Sequence, residues 1–441
     1  MWLLPVFSQI ASLSLRAYYR VSVAGARVPA TGPALLVANH PNSLLDPAAV
    51  VATAGRPVRF LAKAPLFGDR LVGWLVRGVG SIPVHRAQDD AAAMGANADT
   101  FRAVHEALAA GAAVGIFPEG ISHTSPALAP LKTGAARIAL GAAERIGGAF
   151  PIVPVGLVFR DKEFFRSQAL AVVGRPVKWD DLAGRGERDR AAVHELTARI
   201  DAALHTVTVN LDRWEDEPLV HAAEAVYSAE IGADPDPAAR VRRLHATAEG
   251  LARLRDDERG SWRRIAREVA GHARALRLLG MTPAELRAGN RASLAVEWVA
   301  RQAAFFLAGV PVAALGIIFY YLPYRLSGVV ARRMSPSHDM RATVKLLVGI
   351  VLHVVWTIGL IGLAAWWLGL RGAASALVLL PAIGYVTLHV HDQWARATGE
   401  ARRFILRARR SRSIAELRIR QRELAARLAV LWEELRSGAP A

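Results

Sequence analysis

Cysteine is absent from all 441 residues. Its absence excludes disulfide bonds, thiolate metal sites, a cysteine nucleophile and acyl-cysteine chemistry, so any attacking group is oxygen or nitrogen. The Gly-x-Ser-x-Gly elbow of the serine hydrolases does not occur at the strand exits either. Acidic residues are few: 38 Asp and Glu stand against 55 Lys and Arg, a formal net charge of +17, yet 53% of the residues are hydrophobic. A nucleic-acid partner would account for the basic balance but not for the long uncharged stretches near the C-terminus. An anionic membrane surface accounts for both.

At this length two or three structural units are expected. Met1 to Tyr19 is mostly apolar and carries only Arg16 as charge, without the basic start and cleavage site of a secretory signal. Residues 1–29 therefore read as a membrane-surface helix and its exit, with a core-packed first helix as the alternative. From Thr31 to Val177 short β-rich runs alternate with helical patterns, which predicts an α/β domain over about residues 30–210. Strands are expected at Ala34–Val37, Val58–Ala62, Ser81–Val84, Ala113–Phe117, Ile152–Phe159 and Leu170–Val173, and helices at Pro65–Val76, Asp99–Ala110 and Thr133–Ile146. Residues 211–300 are helical and heavily charged and read as a connector without chemistry of its own.

Three uncharged stretches follow, Ala303–Leu322, Leu346–Leu370 and Gly372–Val390, with Arg371 alone between the last two. Each has about the length that crosses roughly 30 Å of hydrocarbon. The loop Arg325–Lys345 and the tail 393–441 are both basic, which favours the cytoplasm for both. Two crossings between them satisfy that, and Ala303–Leu322, with Pro311 inside it, is then expected to dip in and return. Ile414, Leu417, Leu424, Leu428, Leu431 and Leu435 form a stripe at 3,4 spacing, interrupted at Gln421. Such a stripe serves self-association with another copy, or packing on its own chain or on lipid.

The densest chemical signal is Asn39-His40-Pro41-Asn42-Ser43-Leu44-Leu45-Asp46-Pro47, at the end of a predicted strand. A neutral imidazole accepts the proton of an alcohol near pH 7, and a carboxylate on its other nitrogen fixes the tautomer and steadies the imidazolium. Read alone, the same residues are a helix start, with Asp46 capping before Pro47. Three further blocks shift the balance. Phe117-Pro118-Glu119-Gly120 places a carboxylate and a glycine at a strand exit, where backbone can approach a ligand. Gly80-Ser81-Ile82-Pro83-Val84-His85-Arg86 delivers a guanidinium suited to a phosphate oxygen. Pro151-Ile152-Val153-Pro154-Val155 is an apolar strand expected to line the pocket.

In this order the four blocks resemble those of the glycerophospholipid acyltransferase superfamily, over roughly residues 30 to 180. The resemblance implies a mixed-sheet α/β acyltransferase domain, followed here by a helical region and C-terminal transmembrane helices. It implies that His40 deprotonates the acceptor hydroxyl for direct attack on an acyl thioester, with Asp46 orienting it. Arg86, Glu119 and Gly120 then form the glycerol phosphate site, with Lys63 and Lys132 as further cations. No metal or organic cofactor is implied; the co-substrate is a coenzyme A or acyl-carrier-protein thioester, the other partners are the bilayer and a glycerol phosphate, and no nucleic acid is expected. An inner-membrane protein with its catalytic domain on the cytoplasmic side follows.

Two departures stand out. The family places four residues between His and Asp, and here there are five, Pro41 to Leu45, so the loop must bulge. The third block continues Ile121-Ser122-His123 where the family has Thr-Arg-Ser, so its arginine is missing. Both departures, with Pro130-Leu131-Lys132-Thr133-Gly134, are similar to the branch that acylates glycerol-3-phosphate or dihydroxyacetone phosphate. Lysophosphatidate or another lysophospholipid is the alternative acceptor. A lipid hydrolase, an inactive membrane-anchored binding protein, and a metal site at His389-Val390-His391-Asp392 are the remaining readings.

Overall fold

The structure, a computed structural model, describes residues 4–43, 45–68, 73–84, 97–123, 125, 127–159, 162, 164–211, 214–233, 236–255, 261–288, 293–334, 341–409 and 411–437. The chain forms two compact units, one of Met1–Trp214, Pro235–Ala248 and Ser337–Thr343, the other of Glu215–Asp234, Glu249–Pro336 and Val344–Ala441.

In chain order the first unit contains α1 (Leu4–Tyr18), β1 (Arg20–Gly25), β2 (Ala34–Ala38), α2 (Leu45–Ala54), β3 (Val58–Lys63), α3 (Pro65–Gly68), α4 (Gly73–Gly78) and β4 (Ile82–Val84). It continues with α5 (Asn97–Ala109), β5 (Ala113–Ile116), α6 (Gly134–Ile146), β6 (Ile152–Phe159), β7 (Gln168–Val173) and α7 (Arg190–His205). The seven strands form one sheet in the order β1-β7-β6-β2-β5-β3-β4, parallel throughout except for the antiparallel β6–β7 pair. Parallel strands covered on both faces read as unbroken apolar runs rather than alternating ones, and β2 is Ala-Leu-Leu-Val-Ala with every residue buried. Pro154 sits inside β6 at no cost to the ladder. Its carbonyl accepts from Gly174 N–H on the β7 side, so its ring nitrogen faces that side just before β6–β7 pairing begins at Val155.

A large apolar cluster packs one set of helices on the sheet. Leu35, Val37, Val114 and Ile152 of the sheet meet Val104 and Leu108 of α5, Ile138 and Leu140 of α6, and Leu196, Ile200 and Leu204 of α7. The alanine- and glycine-rich face of α6, with Ala135, Ala136, Ala139, Gly141, Ala142 and Ala143 all buried, lets that helix lie close to its neighbours. α1 serves both readings of the N-terminus: Leu15 and Tyr18 are buried, while Val6, Ile10 and Leu13 are exposed along one side, Leu13 at 71%.

The charged helical stretch divides between the units. α8 (Glu217–Ile231) belongs to the second unit, whereas α9 (Pro237–Arg255) places Ala238 and Val241 in the core of the first. The second unit continues with α10 (Ser261–Leu278), α11 (Pro283–Ala288), α12 (Ser293–Met334), α13 (Arg341–Arg409) and α14 (Ser411–Ser437). The α14 stripe packs on its own chain. Leu424, Ala425 and Leu428 are buried with Ala223, Val226 and Val269, and Ile414 and Leu417 lie against Leu276, Leu279, Met281 and Leu286. Gln421, the break in the stripe, is fully buried and bonded: its amide donates to Glu230 Oε1 at 2.6 Å and Pro283 O at 3.1 Å, and its oxygen meets His272 Nε2 at 3.2 Å.

Phe305–Arg333 and Val344–Trp394 are helices long and apolar enough to cross a membrane, with little of either buried. The second is interrupted at Gly369, whose φ of 67° and ψ of −161° are not helical. Tyr320 of α12 stacks on His353 on one side of that break and lies against Gly384 on the other. The two arms of α13 therefore fold back toward one another, with the turn at Gly369 rather than at Arg371. Among the described residues no group of three or more His, Asp or Glu is placed to hold a metal ion, so His389, His391 and Asp392 find no further ligand.

Candidate active site

Because β2, β5, β3 and β4 run parallel, their carboxyl ends open on the same edge of the sheet, where open α/β sheets bind ligands. His40 leaves β2, Glu119 and Gly120 leave β5, and Lys63 ends β3. Arg86 follows β4 and lies outside the described residues.

His40 Nδ1 and Asp46 Oδ2 are 2.8 Å apart, and the carboxylate also accepts Asn42 N–H at 2.7 Å. A helix does start here, but Asp46 lies inside α2 instead of capping it, and its carboxylate pairs with His40. α2 begins at Leu45, where Pro47 loses no needed donor, but the Asp46 carboxylate turns back to the segment before the helix. Asp46 is fully buried, and burial raises its carboxyl above the usual range, opposed by the His40 hydrogen bond, the His40 charge, Asn42 N–H and Lys162. With Nδ1 taken, Nε2 is the nitrogen left over, and among the described residues it has no partner. The imidazole lies flat on Phe117, centroids 4.1 Å apart at 11°, and Phe117 in turn parallels Phe60 at 6.0 Å. Gly115 makes room for this stack, since a Cβ there would stand 2.3 Å from the Phe60 ring.

Glu119 is 2% exposed. Its Oε1 accepts His40 N–H at 2.9 Å, and its Oε2 accepts Ala129 N–H at 2.8 Å and meets His123 Nε2 in a short contact. Gly120 has a φ of 72°, a conformation that suits glycine, and a Cβ at this position would meet Lys132 Nζ at 2.8 Å. Lys132 thus lies across Gly120, its N–H bonded to Pro118 O at 2.8 Å. His40, Asp46, Glu119, Gly120 and Lys132 come together; Lys63 is exposed at the end of β3.

Several contributors carried no local signal in the sequence. The expected bulge is present: Ser43 takes a positive φ of 50°, and its N–H is held by Ser122 Oγ at 3.0 Å. On the opposite side Lys162 Nζ donates to Pro41 O at 2.7 Å, and Asn42 Nδ2 donates to the Tyr19 hydroxyl at 3.1 Å, which bonds Lys162 O. Asn39 anchors the strand end by exchanging two hydrogen bonds with the Leu157 backbone, 3.0 and 2.7 Å.

The acyltransferase family profile matches residues 20–158, the stretch that carries His40, Asp46, Glu119, Gly120 and Lys132. Over that stretch the chain is similar to known glycerol phosphate acyltransferases. Over 166 residues the chain is 34% identical to glycerol-3-phosphate O-acyltransferase 2 of Saccharomyces cerevisiae, which covers 37% of this chain and 22% of the yeast protein. It is 29% identical over 150 residues to a chloroplastic 1-acyl-sn-glycerol-3-phosphate acyltransferase of Brassica napus, covering 34% of this chain and 40% of the plant protein. The chain thus spans well under half the length of either relative. The crystal structure of the 1-acyl-sn-glycerophosphate acyltransferase PlsC from Thermotoga maritima aligns with 46% of this chain and 77% of its own, at 18% identity and a TM-score of 0.35. The matched residues 20–158 lie in the first unit, and β7 and α7–α14 lie beyond them.

Proposed function

We propose that the protein moves a fatty acyl group from an acyl thioester to a hydroxyl of a glycerol phosphate at a membrane surface. The observation that carries this reading is the His40–Asp46 pair, with Nε2 facing outward at the carboxyl edge of the sheet. Asp46 holds the proton on Nδ1, so the Nε2 lone pair takes the acceptor's O–H proton as that oxygen attacks the thioester carbonyl carbon. The C–O bond forms, the tetrahedral oxyanion collapses, the C–S bond breaks, and the proton on Nε2 passes to the departing thiolate. Orientation of the two substrates supplies up to about 7–11 kcal/mol of the barrier reduction. Lys132 over Gly120, with Lys63 and Arg86, supplies the positive charge that a phosphate requires.

Glycerol-3-phosphate or dihydroxyacetone phosphate is our first choice of acceptor, supported by the yeast match, the five-residue His–Asp spacing and the Ser122–His123 pair. Lysophosphatidate is the second, supported by the plant match. Attachment to a bilayer is supported by α12 and the two arms of α13, by the Val6, Ile10 and Leu13 side of α1, and by Phe164, exposed at 71%. The positive charge of 325–345 and of the tail supports a cytoplasmic face for those two stretches, while α12 runs as one helix through Pro311 without the expected return.

The test is acylation by the purified full chain in detergent, with palmitoyl-coenzyme A offered alongside each of the three acceptors. His40→Ala is expected to bind both substrates and to lose about 10²–10⁴-fold in turnover. Transfer to none of the acceptors, or transfer undiminished in His40→Ala, sinks the proposal.

A further inference from the structure

The two departures from the family pattern meet at one place. The extra residue of the His40–Asp46 segment leaves Ser43 in the left-handed region at a φ of 50°, where a residue with a Cβ sits at a cost of about 1–2 kcal/mol. That conformation is held from outside the loop, because Ser43 N–H reaches Ser122 Oγ at 3.0 Å. The next residue continues the contact. His123 N–H donates to His40 O at 3.2 Å, while its ring accepts Ser125 N–H on Nδ1 at 3.1 Å and so presents Nε2–H to Glu119 Oε2. Glu119 Oε1 in turn accepts the backbone N–H of His40 at 2.9 Å. Both backbone polar groups of His40 are therefore fixed by the third block, its carbonyl directly by His123 and its N–H by a carboxylate that His123 orients.

We propose that Ser122 and His123 are positioning residues for the base, and that they compensate for the longer His–Asp segment. This proposal rests on the acyl-transfer reading of His40. A segment with one more residue has more ways to carry the imidazole, and the Ser122 and His123 contacts select the one in which Nδ1 meets Asp46. The third block has exchanged its arginine for a serine–histidine clip on the catalytic loop, and charge for the acceptor phosphate comes from Lys132 beside it.

The experiment uses full-length protein in detergent and reads two quantities on each variant: steady-state kinetics with palmitoyl-coenzyme A and glycerol-3-phosphate, and hydrogen exchange of the peptide covering residues 39–46. A displacement of catalytic groups on the ångström scale costs about 10²-fold, so Ser122→Ala and His123→Ala are expected to lose about 10- to 100-fold in kcat. KM for both substrates should stay within about twofold, and exchange in 39–46 should quicken while β6 stays protected. Ser122→Thr, which restores the hydroxyl, and His123→Gln, which restores a donor at the Nε2 position, are expected to recover most of the rate and the slow exchange. In a Ser43→Gly background, where the left-handed conformation carries no Cβ penalty, Ser122→Ala should cost much less.

Unchanged kcat with unchanged exchange overturns the proposal. So does a loss confined to KM, which would make these residues substrate ligands, or additive loss in the Ser43→Gly background. Should glycerol-3-phosphate not be acylated at all, the functional reading fails separately, and the exchange data alone decide whether the clip holds the loop.

Discussion

Replacing Asp46 by Asn tests how the dyad is wired. Asp46 Oδ2 faces two donors, His40 Nδ1–H at 2.8 Å and Asn42 N–H at 2.7 Å. An asparagine amide turned with its NH2 toward that point would oppose the Asn42 N–H, which cannot reverse its role, so the amide oxygen takes the Oδ2 position and the imidazole keeps its tautomer. The NH2 then occupies the Oδ1 position, which is buried without a partner among the described residues, at a stability cost of about 1–3 kcal/mol. Relief from burying a charge there, whose desolvation already raises the Asp46 carboxyl, works in the opposite direction. What catalysis loses is the charge. A hydrogen bond to a charged group contributes about 1.5–3 kcal/mol against about 0.5–1.5 for a neutral one, a difference of about 1–1.5 kcal/mol, or about 5- to 15-fold in kcat. Asp46→Ala loses the orientation as well and should fall by about 10³-fold or more. The assay is the appearance of free thiol from the coenzyme A donor, and a cysteine-free protein contributes no thiol to it. If Asp46→Asn is as damaged as Asp46→Ala, the amide has flipped, the tautomer is lost, and the claim that Asn42 N–H dictates the orientation is wrong.

Two further outcomes are expected. Burial, with the Arg145 charge nearby, holds the His105 imidazole down at about 4 against an ordinary 6.5. Above pH 6.5 this is without effect on stability. As the pH falls toward 4 the unfolded chain takes up a proton that the folded chain refuses, so stability declines through that window and levels off below it. After allowance for solvent screening the loss is about 1–2 kcal/mol. Denaturation midpoints between pH 4 and 6.5 should therefore slope less in His105→Gln than in the unaltered protein, and equal slopes would refute the assignment. Separately, a single cysteine introduced at Ser337, in the basic loop 325–345, should resist an impermeant thiol reagent in intact cells; labelling from outside would place that loop, and the charge argument behind it, on the wrong side.

The sheet was legible where its strands are covered on both faces. Ala34–Ala38, Ala113–Ile116 and Ile152–Phe159 are short apolar runs, and these and Val58–Lys63 each fall within a residue of their expected bounds. β1 was not legible, because Arg20–Gly25 lies at the sheet edge with mostly exposed side chains and shows neither an apolar run nor a clean alternation. α2 hid behind the motif that precedes it. The His40–Asp46 pair could be read because both residues lie within one segment, whereas Ser122 and Lys162 reach the same loop from 79 and 121 residues away. Hydrogen bonds over such separations leave no periodicity or spacing to detect. Near the C-terminus, charge-free length located the apolar segments, whereas the break between the arms of α13, at Gly369 with its positive φ, carried no charge to mark it.

The flat contact between His40 and Phe117 bears on when the imidazole carries charge. In the proposed transfer the ring becomes a cation, and a phenyl face 4.1 Å beneath it presents the negative lobe of its quadrupole to that cation. Phe117 is thus a counter-charge without a formal charge: it attracts the imidazolium, donates no hydrogen bond and needs no water. Asp46 meets the ring at its edge and Phe117 at its face, the first through a hydrogen bond that fixes one tautomer, the second through a contact that either tautomer can make.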